Sequence, residues 1–182
     1  MPRNFNRTSK GQPCSTRQES RTNARIPTSN ALLRRLLSKR WAYLHKDLSA
    51  AEEGQYPGVY ILAYSKKDLK DKPIRIRDIF YVGMSHAGVV KRLGRFIKGL
   101  EENKYHSAAK RFFRTYGMGS PFSQLRRKKT FFFASVSVPC NVVKTSRTPL
   151  DLRKMGEVAK CEFYVLAHIK EKRRREPKLN LK

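Results

Sequence analysis

The chain has few acidic residues, few cysteines and no long apolar segment. Its 182 residues include 14 Asp and Glu against 41 Lys and Arg, a formal net charge of +27. A charge of that size favours a polyanionic partner, with nucleic acid ahead of an anionic membrane surface. No apolar run approaches the roughly 20 residues needed to cross a bilayer, so we expect no membrane-spanning segment. The N-terminal residues also lack the apolar region of a signal peptide.

The three cysteines indicate neither a metal site nor a disulfide framework. Cys14, Cys140 and Cys161 are odd in number, lie far apart and form no CxxC pair. We therefore expect an intracellular protein in a reducing compartment, located in the cytoplasm and associated with the nucleoid.

Length and composition predict one folded domain with a basic arm. Residues 1–27 are polar and basic, with Glu19 as their only acid. Such a segment cannot bury enough apolar surface to offset its ordering entropy, so we predict a disordered arm. The arm either follows DNA phosphates, solubilises the protein or acts as an organellar presequence. Residues 28–182 contain enough aliphatic and aromatic residues for a single domain.

An amphipathic helix is predicted over residues 28–48. Thr28, Ser29 and Asn30 offer an N-cap. Apolar residues then recur at helical spacing: Leu32, Leu33, Leu36, Leu37, Trp41 and Leu44. The basic residues of this segment either face DNA or form a solvated surface, and we favour the solvated surface.

Two apolar runs at residues 59–64 and 79–82 predict a β-hairpin with a long loop, because both are rich in β-branched and aromatic residues. Helices are predicted over residues 89–100 and 104–116, and a strand over residues 130–138. Thr148 followed by Pro149 and Asp151 predicts the start of a helix that runs to about residue 172.

Each hairpin strand carries a glycine and a tyrosine: Gly58-Val59-Tyr60, then Tyr81-Val82-Gly83. In this order, followed by a helix with Arg92, the triplets resemble the signature of the GIY-YIG nuclease family. The resemblance covers residues 58–180 and is closest to compact restriction enzymes. It implies an α+β fold with a three-stranded antiparallel sheet flanked by helices and a core over residues 57–180. The spacing from Tyr60 to Tyr81 is longer than is usual in the family, so we expect an enlarged hairpin loop.

Glu162 is the candidate metal ligand. Its spacing from Met155, Val158 and Leu166 predicts a position in the middle of an apolar stripe, where a lone carboxylate either protonates or finds a cation. Glu157 and Cys161 fall on the more polar side of that helix. The resemblance makes Glu162 the ligand of Mg²⁺ or Mn²⁺, with Asn180 of the Pro177–Asn180 segment as a supporting residue. The alternative is a rim carboxylate paired with a lysine.

The other implied roles rest on the resemblance. Arg92 would hold the scissile phosphate, since a guanidinium suits bidentate phosphate contact, although it could be one more surface arginine. Tyr60 would act as general base and Tyr81 would support it. Because the ordinary pKa of a tyrosine is near ~10, they need neighbouring cations, and a loop lysine, Lys70, is favoured.

One position departs from the family pattern. Phe96 stands where many members have a His or Tyr one turn after the arginine, and it cannot move protons. His106 could replace that group, or it could be a surface or capping residue. The expected activity is metal-dependent hydrolysis of DNA phosphodiester bonds that leaves a 5′-phosphate, with a homodimer possible for double-strand cleavage. The alternatives are a basic nucleic-acid-binding protein without catalysis and, less favoured, a structural RNA-binding protein.

Overall fold

The computed structural model describes residues 26–51, 53–102, 107–117, 123–125 and 129–180. The predicted arm, apart from its last two residues, lies outside this part of the chain. The fold is α+β, as predicted. Its elements are α1 (Ser29–Ser38), β1 (Ala42–Tyr43), β2 (Gly58–Ser65), β3 (Ile79–Ser85), α2 (Val89–Glu102), α3 (Ser107–Phe112), β4 (Thr130–Ser137) and α4 (Pro149–Arg173).

The sheet is antiparallel and has four strands in the order β1-β4-β2-β3. The predicted three-strand count is therefore wrong by one short strand, because Ala42 and Tyr43 pair with Phe133 and Phe132. The hairpin prediction is confirmed, since β2 pairs with β3 and residues 66–78 connect them. This order leaves β3 at one edge of the sheet and β1 at the other.

Helices cover both faces of the sheet. One core cluster joins α1 and α4 to the face that carries Val59, Ile61 and Val82. The other joins α2 and α3 to the face that carries Tyr60 and Tyr81. Side chains of a strand alternate between the two faces, so adjacent residues of each triplet enter different clusters.

The first helix is shorter than predicted. It begins after Thr28, whose side chain accepts a hydrogen bond from the backbone N–H of Ala31, and it ends at Ser38. Trp41 and Leu44 are buried, but not on this helix. The chain becomes extended at Lys39, and the Trp41 backbone then pairs with the hairpin loop. Helical spacing was misleading here because Trp41 is buried from extended backbone and Leu44 is buried from the turn after β1.

The last helix begins as predicted. Thr148 and Asp151 form a reciprocal capping box, with Pro149 in the first turn. The second helix, α2, continues to Glu102, two residues beyond its predicted end. The following helix is α-helical over Ser107–Phe112 and continues as a π-helical turn over Phe113–Gly117. None of the helices described by the structure is both long and apolar enough to span a lipid bilayer.

Candidate active site

The two glycines of the triplets allow close packing around β2. Tyr60 is paired with Gly83 across the hairpin. A Cβ atom at Gly83 would lie 2.7 Å from both Cζ and Oη of Tyr60 and 2.9 Å from Cε1 of Tyr81. A Cβ atom at Gly58 would lie 2.3 Å from the carbonyl oxygen of Val136. Both positions therefore exclude a side chain, and Gly83 leaves the space that the ring of Tyr60 fills.

Tyr60 is fully buried at 0% exposure. Its ring centroid lies 6.1 Å from that of Tyr81, with the planes tilted by 51°. Burial raises the pKa of the Tyr60 phenol, Tyr81 adds to the rise, and the Arg92 guanidinium opposes it. The hydroxyl lies close enough to both neighbours for these effects, yet it makes no well-aligned hydrogen bond with the described residues. A buried polar atom without a protein partner is uncommon and is explained by a bound water, by strain or by a catalytic role.

Tyr81 is located on the edge strand, is almost completely buried and has both acidic and basic side chains near it. Burial raises its pKa. The carboxylate of Glu162 adds to that rise, whereas the guanidinium groups of Arg92 and Arg111 oppose it. The Tyr81 hydroxyl is therefore located among the side chains of β2, α2, α3 and α4.

Arg92 extends from α2 towards the two tyrosines. Its Nε atom is buried and makes no hydrogen bond to the described part of the chain. The guanidinium opposes the pKa rise of Tyr60, of Tyr81 and of Glu162 alike. One cation is thus shared by two phenols and one carboxyl group. A buried guanidinium N–H that is not satisfied by protein acceptors is suited to an anionic ligand.

Glu162 extends from α4 to the same place, but it is not in the middle of the apolar stripe. The buried residues of α4 are Asp151, Val158, Cys161, Val165 and Ile169. The assignment of Cys161 to the polar side was therefore wrong, because a free cysteine behaves as a small apolar side chain. Glu162 is half-buried beside this stripe. Burial raises its pKa and Arg92 opposes that rise.

The C-terminal segment covers the outer edge of β3. The side-chain amide of Asn180 donates to the Val82 carbonyl oxygen at 2.8 Å, and its oxygen accepts from the Val82 N–H at 2.9 Å. The N–H of Leu179 donates to the Phe80 carbonyl, and Arg173 donates to the Ile79 carbonyl. These bonds satisfy an edge strand that would otherwise be open. Asn180 thereby holds the backbone of Val82, the residue between Tyr81 and Gly83.

Two further residues considered in the sequence, Lys70 and Phe96, do not join this cluster. Lys70 lies at the other edge of the sheet, where it pairs with Trp41 and its Nζ lies 5.6 Å from the ring centroid of Tyr43. Two strands separate that edge from β3, a distance of roughly 14 Å at normal strand spacing. Phe96 is fully buried at 0% exposure in the core. His106 lies outside the described residues.

Arg111 was not predicted to be in the site. It lies on α3, half-buried between the exposed Lys110 and the buried Phe112, and it acts on the pKa of Tyr81. The sequence offered little to distinguish it among 41 basic residues. Its one distinguishing feature is a position next to the buried Ala108, Ala109 and Phe112, on the flank of an amphipathic helix.

The donor set suits a metal ion held largely by water and substrate. Among the described residues, no three His, Cys, Asp or Glu side chains form a cluster. Glu162 is the carboxylate whose charge reaches Tyr81. Mg²⁺ is commonly bound by one or two carboxylates together with waters and phosphate oxygens, so Glu162 could hold it in that way.

No protein-family model, no curated protein and no solved structure matches this chain.

Proposed function

We propose that the protein is a GIY-YIG-type endonuclease that hydrolyses phosphodiester bonds of DNA in the presence of a divalent metal ion. One observation carries the proposal. Tyr60, Tyr81, Arg92 and Glu162 come from four separate elements, and the guanidinium of Arg92 is close enough to oppose the burial-driven rise in the pKa values of the other three. Structural ion pairs also shift pKa values, but two buried phenols beside one shared guanidinium serve no evident packing need.

Arg92 is the phosphate-binding group in this proposal. Its buried Nε and its neighbouring guanidinium nitrogens can donate to two oxygens of one phosphate. Because the site is largely shielded from water, this cation stabilises the negative charge that develops on the phosphoryl oxygens more strongly than it would in solution. Arg111 adds positive charge on the side of Tyr81.

The reaction is an in-line displacement at phosphorus. The oxygen of a water molecule forms the new bond to phosphorus while the bond to the 3′ oxygen breaks, which leaves a 5′-phosphate and a 3′-hydroxyl. Tyr60 in its phenolate form accepts the proton of the attacking water, and the Tyr81 hydroxyl donates to a phosphate oxygen. Because burial raises the pKa of Tyr60, the phenolate is a minor species and Arg92 is needed to favour it.

Glu162 is the residue that would hold Mg²⁺ or Mn²⁺. When bound, the ion supplies Lewis-acid stabilisation of the phosphate and its leaving oxygen. The carboxyl itself is half-buried, and this burial raises its pKa and disfavours its ionised form. A nearby cation therefore stabilises the ionised form.

DNA as the substrate is supported by charge. The chain has a net charge of +27, and the two helices that cover the Tyr60 face carry basic side chains. The exposed ones are Lys91, Arg95, Lys98, Lys110 and Arg114. Such a surface attracts the phosphate backbone without reading sequence. One site cuts one strand, so double-strand cleavage would need a homodimer or two successive nicks.

Plasmid nicking with and without Mg²⁺ tests the proposal. We expect nicking by the wild type that stops in EDTA, and a loss of at least about a hundredfold in Glu162→Gln and in Arg92→Gln, by analogy with removal of one transition-state donor. Glu171→Gln is the matched control, because Glu171 is an exposed carboxylate on the same helix. Equal, metal-independent nicking by wild type and Glu162→Gln would contradict the assignment.

Nucleic-acid binding without catalysis is the second candidate, and the burial of two residues favours it. Phe96 occupies the position of a proton-transferring residue in many family members, and it is a core side chain. Tyr60 is fully enclosed in the free protein. Binding of DNA in EDTA, combined with no nicking over a range of divalent ions, would support this candidate instead.

A further inference from the structure

A second concave site lies on the same face of the sheet, at the other end of β2. It is a cavity of about 620 Å³ lined by Tyr64, Lys66, Tyr116, Leu125 and Lys129. Two of these residues are aromatic and two are basic, and the described lining contains no acidic side chain. We refer to it as the Tyr64–Tyr116 pocket.

The two tyrosines of the pocket are held in place by the core. The ring of Tyr64 stacks on Phe131 at 4.5 Å between centroids, and its hydroxyl donates to the carbonyl of Leu125 at 2.9 Å. Tyr116 lies 5.7 Å from Tyr64 at an angle of 63° and also packs on Phe112. Both rings are half-buried, so each is held by the core and keeps part of its surface accessible.

Positive charge surrounds these rings. Nζ of Lys129 lies 5.2 Å from the ring centroid of Tyr64, and Nζ of Lys178 lies 5.8 Å from that of Tyr116. Lys66 is exposed at the rim. Fixed aromatic surfaces beside mobile cations are the combination with which proteins hold unpaired nucleotides: the base stacks on the rings and the flanking phosphates meet the lysines.

The pocket and the candidate active site share two elements. Tyr60 and Tyr64 lie on the same face of β2, four residues apart, or about 13 Å at the rise of a strand. Arg111 and Tyr116 lie five residues apart on one helical segment. Phosphates of one strand of duplex DNA follow each other at about 3.4 Å along the axis, so the separation corresponds to about four nucleotides of a duplex and fewer of an extended strand.

We infer that the Tyr64–Tyr116 pocket binds one unpaired nucleobase of the DNA strand that passes through the active site. The inference rests on the proposed function, which identifies the substrate as DNA. It restricts that substrate to DNA with an unpaired or extruded base near the scissile bond. A paired base cannot enter, because its faces are covered by its stacked neighbours and its edge by its partner. Extruding a base costs least where it is already unpaired.

Fluorescence anisotropy in EDTA tests the pocket without cleavage. The probes are a short fluorescent duplex and the same duplex with one unpaired base, measured at one fixed salt concentration. We expect the wild type to bind the second probe more tightly. Tyr116→Ala should weaken binding to the probe with the unpaired base by roughly tenfold, the effect of losing one stacked base, and leave binding to the intact duplex within twofold.

Three further variants make the result specific. Tyr116→Phe keeps the ring and should keep the preference. Lys66→Ala changes an exposed side chain with little effect on packing and should weaken binding to the probe with the unpaired base more than to the duplex. Lys98→Ala removes an exposed lysine of α2 outside the pocket and should change both affinities equally. Thermal unfolding of each variant identifies any loss of binding that comes from loss of fold.

Equal affinity of the wild type for both probes would overturn the inference, as would an unchanged ratio of affinities in folded Tyr116→Ala and Lys66→Ala. The plasmid nicking assay separates this outcome from failure of the proposed function. Nicking without a preference for the unpaired base would refute the pocket alone. A preference without nicking would refute the nuclease and leave a nucleobase-binding protein.

Discussion

The α-carbon of Gly83 faces the ring of Tyr60 so closely that a methyl group there would lie 2.7 Å from Cζ and from Oη. The two residues pair across the hairpin from β2 to β3. The missing side chain is what lets the phenol pack closely against the edge strand beside Tyr81. The glycine of the second triplet therefore has a packing role that can be tested independently of catalysis.

Replacing Gly83 by alanine should destabilise the protein by about 1–3 kcal/mol, the usual cost of forcing extra atoms into a packed interior. The nearest atoms belong to the rings of Tyr60 and Tyr81, which are packed in the core, so the new methyl group has no flexible neighbour to displace. Gly94→Ala is the matched control: its Cβ would meet nothing within 4 Å, and α2 should gain about 0.5–1 kcal/mol from the better helix former. Urea unfolding measures both. Equal stability of the two variants would contradict this account of Gly83.

Glu162 should reduce stability at neutral pH. Its folded-state pKa is raised above the unfolded value, mainly by burial, so folding disfavours the ionised form. As pH rises from below the unfolded value of 4.5 through the raised folded pKa, the unfolded state gains more from ionisation, and stability falls. Glu162→Gln removes this effect. The variant should match the wild type near pH 4 and exceed it near pH 7, as measured by urea unfolding at both values. A variant that is less stable at pH 7 would show that the carboxylate acts as a structural ion-pair partner.

The rate of nicking should increase with pH without a plateau in the neutral range. The pKa of Tyr60 is raised by burial, so the phenolate fraction grows about tenfold for each pH unit below that pKa. A histidine acting as base would instead give a plateau above about pH 7. Single-turnover rates from pH 6 to 9, with metal at saturation, distinguish the two. Tyr60→Phe should abolish the dependence together with the activity. A plateau near neutrality would exclude Tyr60 as the base.

Local patterns in the sequence were sufficient to predict the hairpin and α4, whereas the approach of Glu162 to Arg92 was implied only by the family resemblance. The capping box of Thr148 and Asp151 fixed the start of α4, and a 25-residue helix then carries Glu162 back to the hairpin. The β-branched and aromatic runs fixed β2 and β3. In these segments local propensity and tertiary packing favour the same structure.

The errors occurred where long-range pairing decided the structure. Trp41 has helical spacing from Leu37, but its backbone pairs with residues 71 and 72 of the hairpin loop, and this contact also carries Lys70 away from the tyrosines. A local sequence pattern does not determine where a loop lies relative to an edge strand that is distant in sequence. Arg111 was missed for a related reason: which side of α3 faces Tyr81 depends on how the helix packs.

Asn180 should contribute to the stability of the protein and to nicking, although it is far in sequence from the other residues of the active site. Its amide makes two hydrogen bonds to Val82, between Tyr81 and Gly83, and it takes the place of a neighbouring strand. Asn180→Ala leaves a partly buried N–H and C=O unsatisfied, and we expect a loss of about 1–3 kcal/mol together with lower nicking.

Asn180→Asp separates the two bonds of this contact. The aspartate can still accept from the Val82 N–H but cannot donate to its carbonyl, so stability should fall between wild type and Asn180→Ala. Asn141→Ala is the control, because Asn141 makes comparable local bonds in the loop before α4, far from β3 in sequence. Urea unfolding and hydrogen exchange at Val82 measure the effect. If Asn180→Ala slows nicking without faster exchange at Val82, Asn180 acts on the reaction by a route other than the edge strand. If exchange and nicking change together, the C-terminal segment holds Tyr81 in position through the backbone of β3.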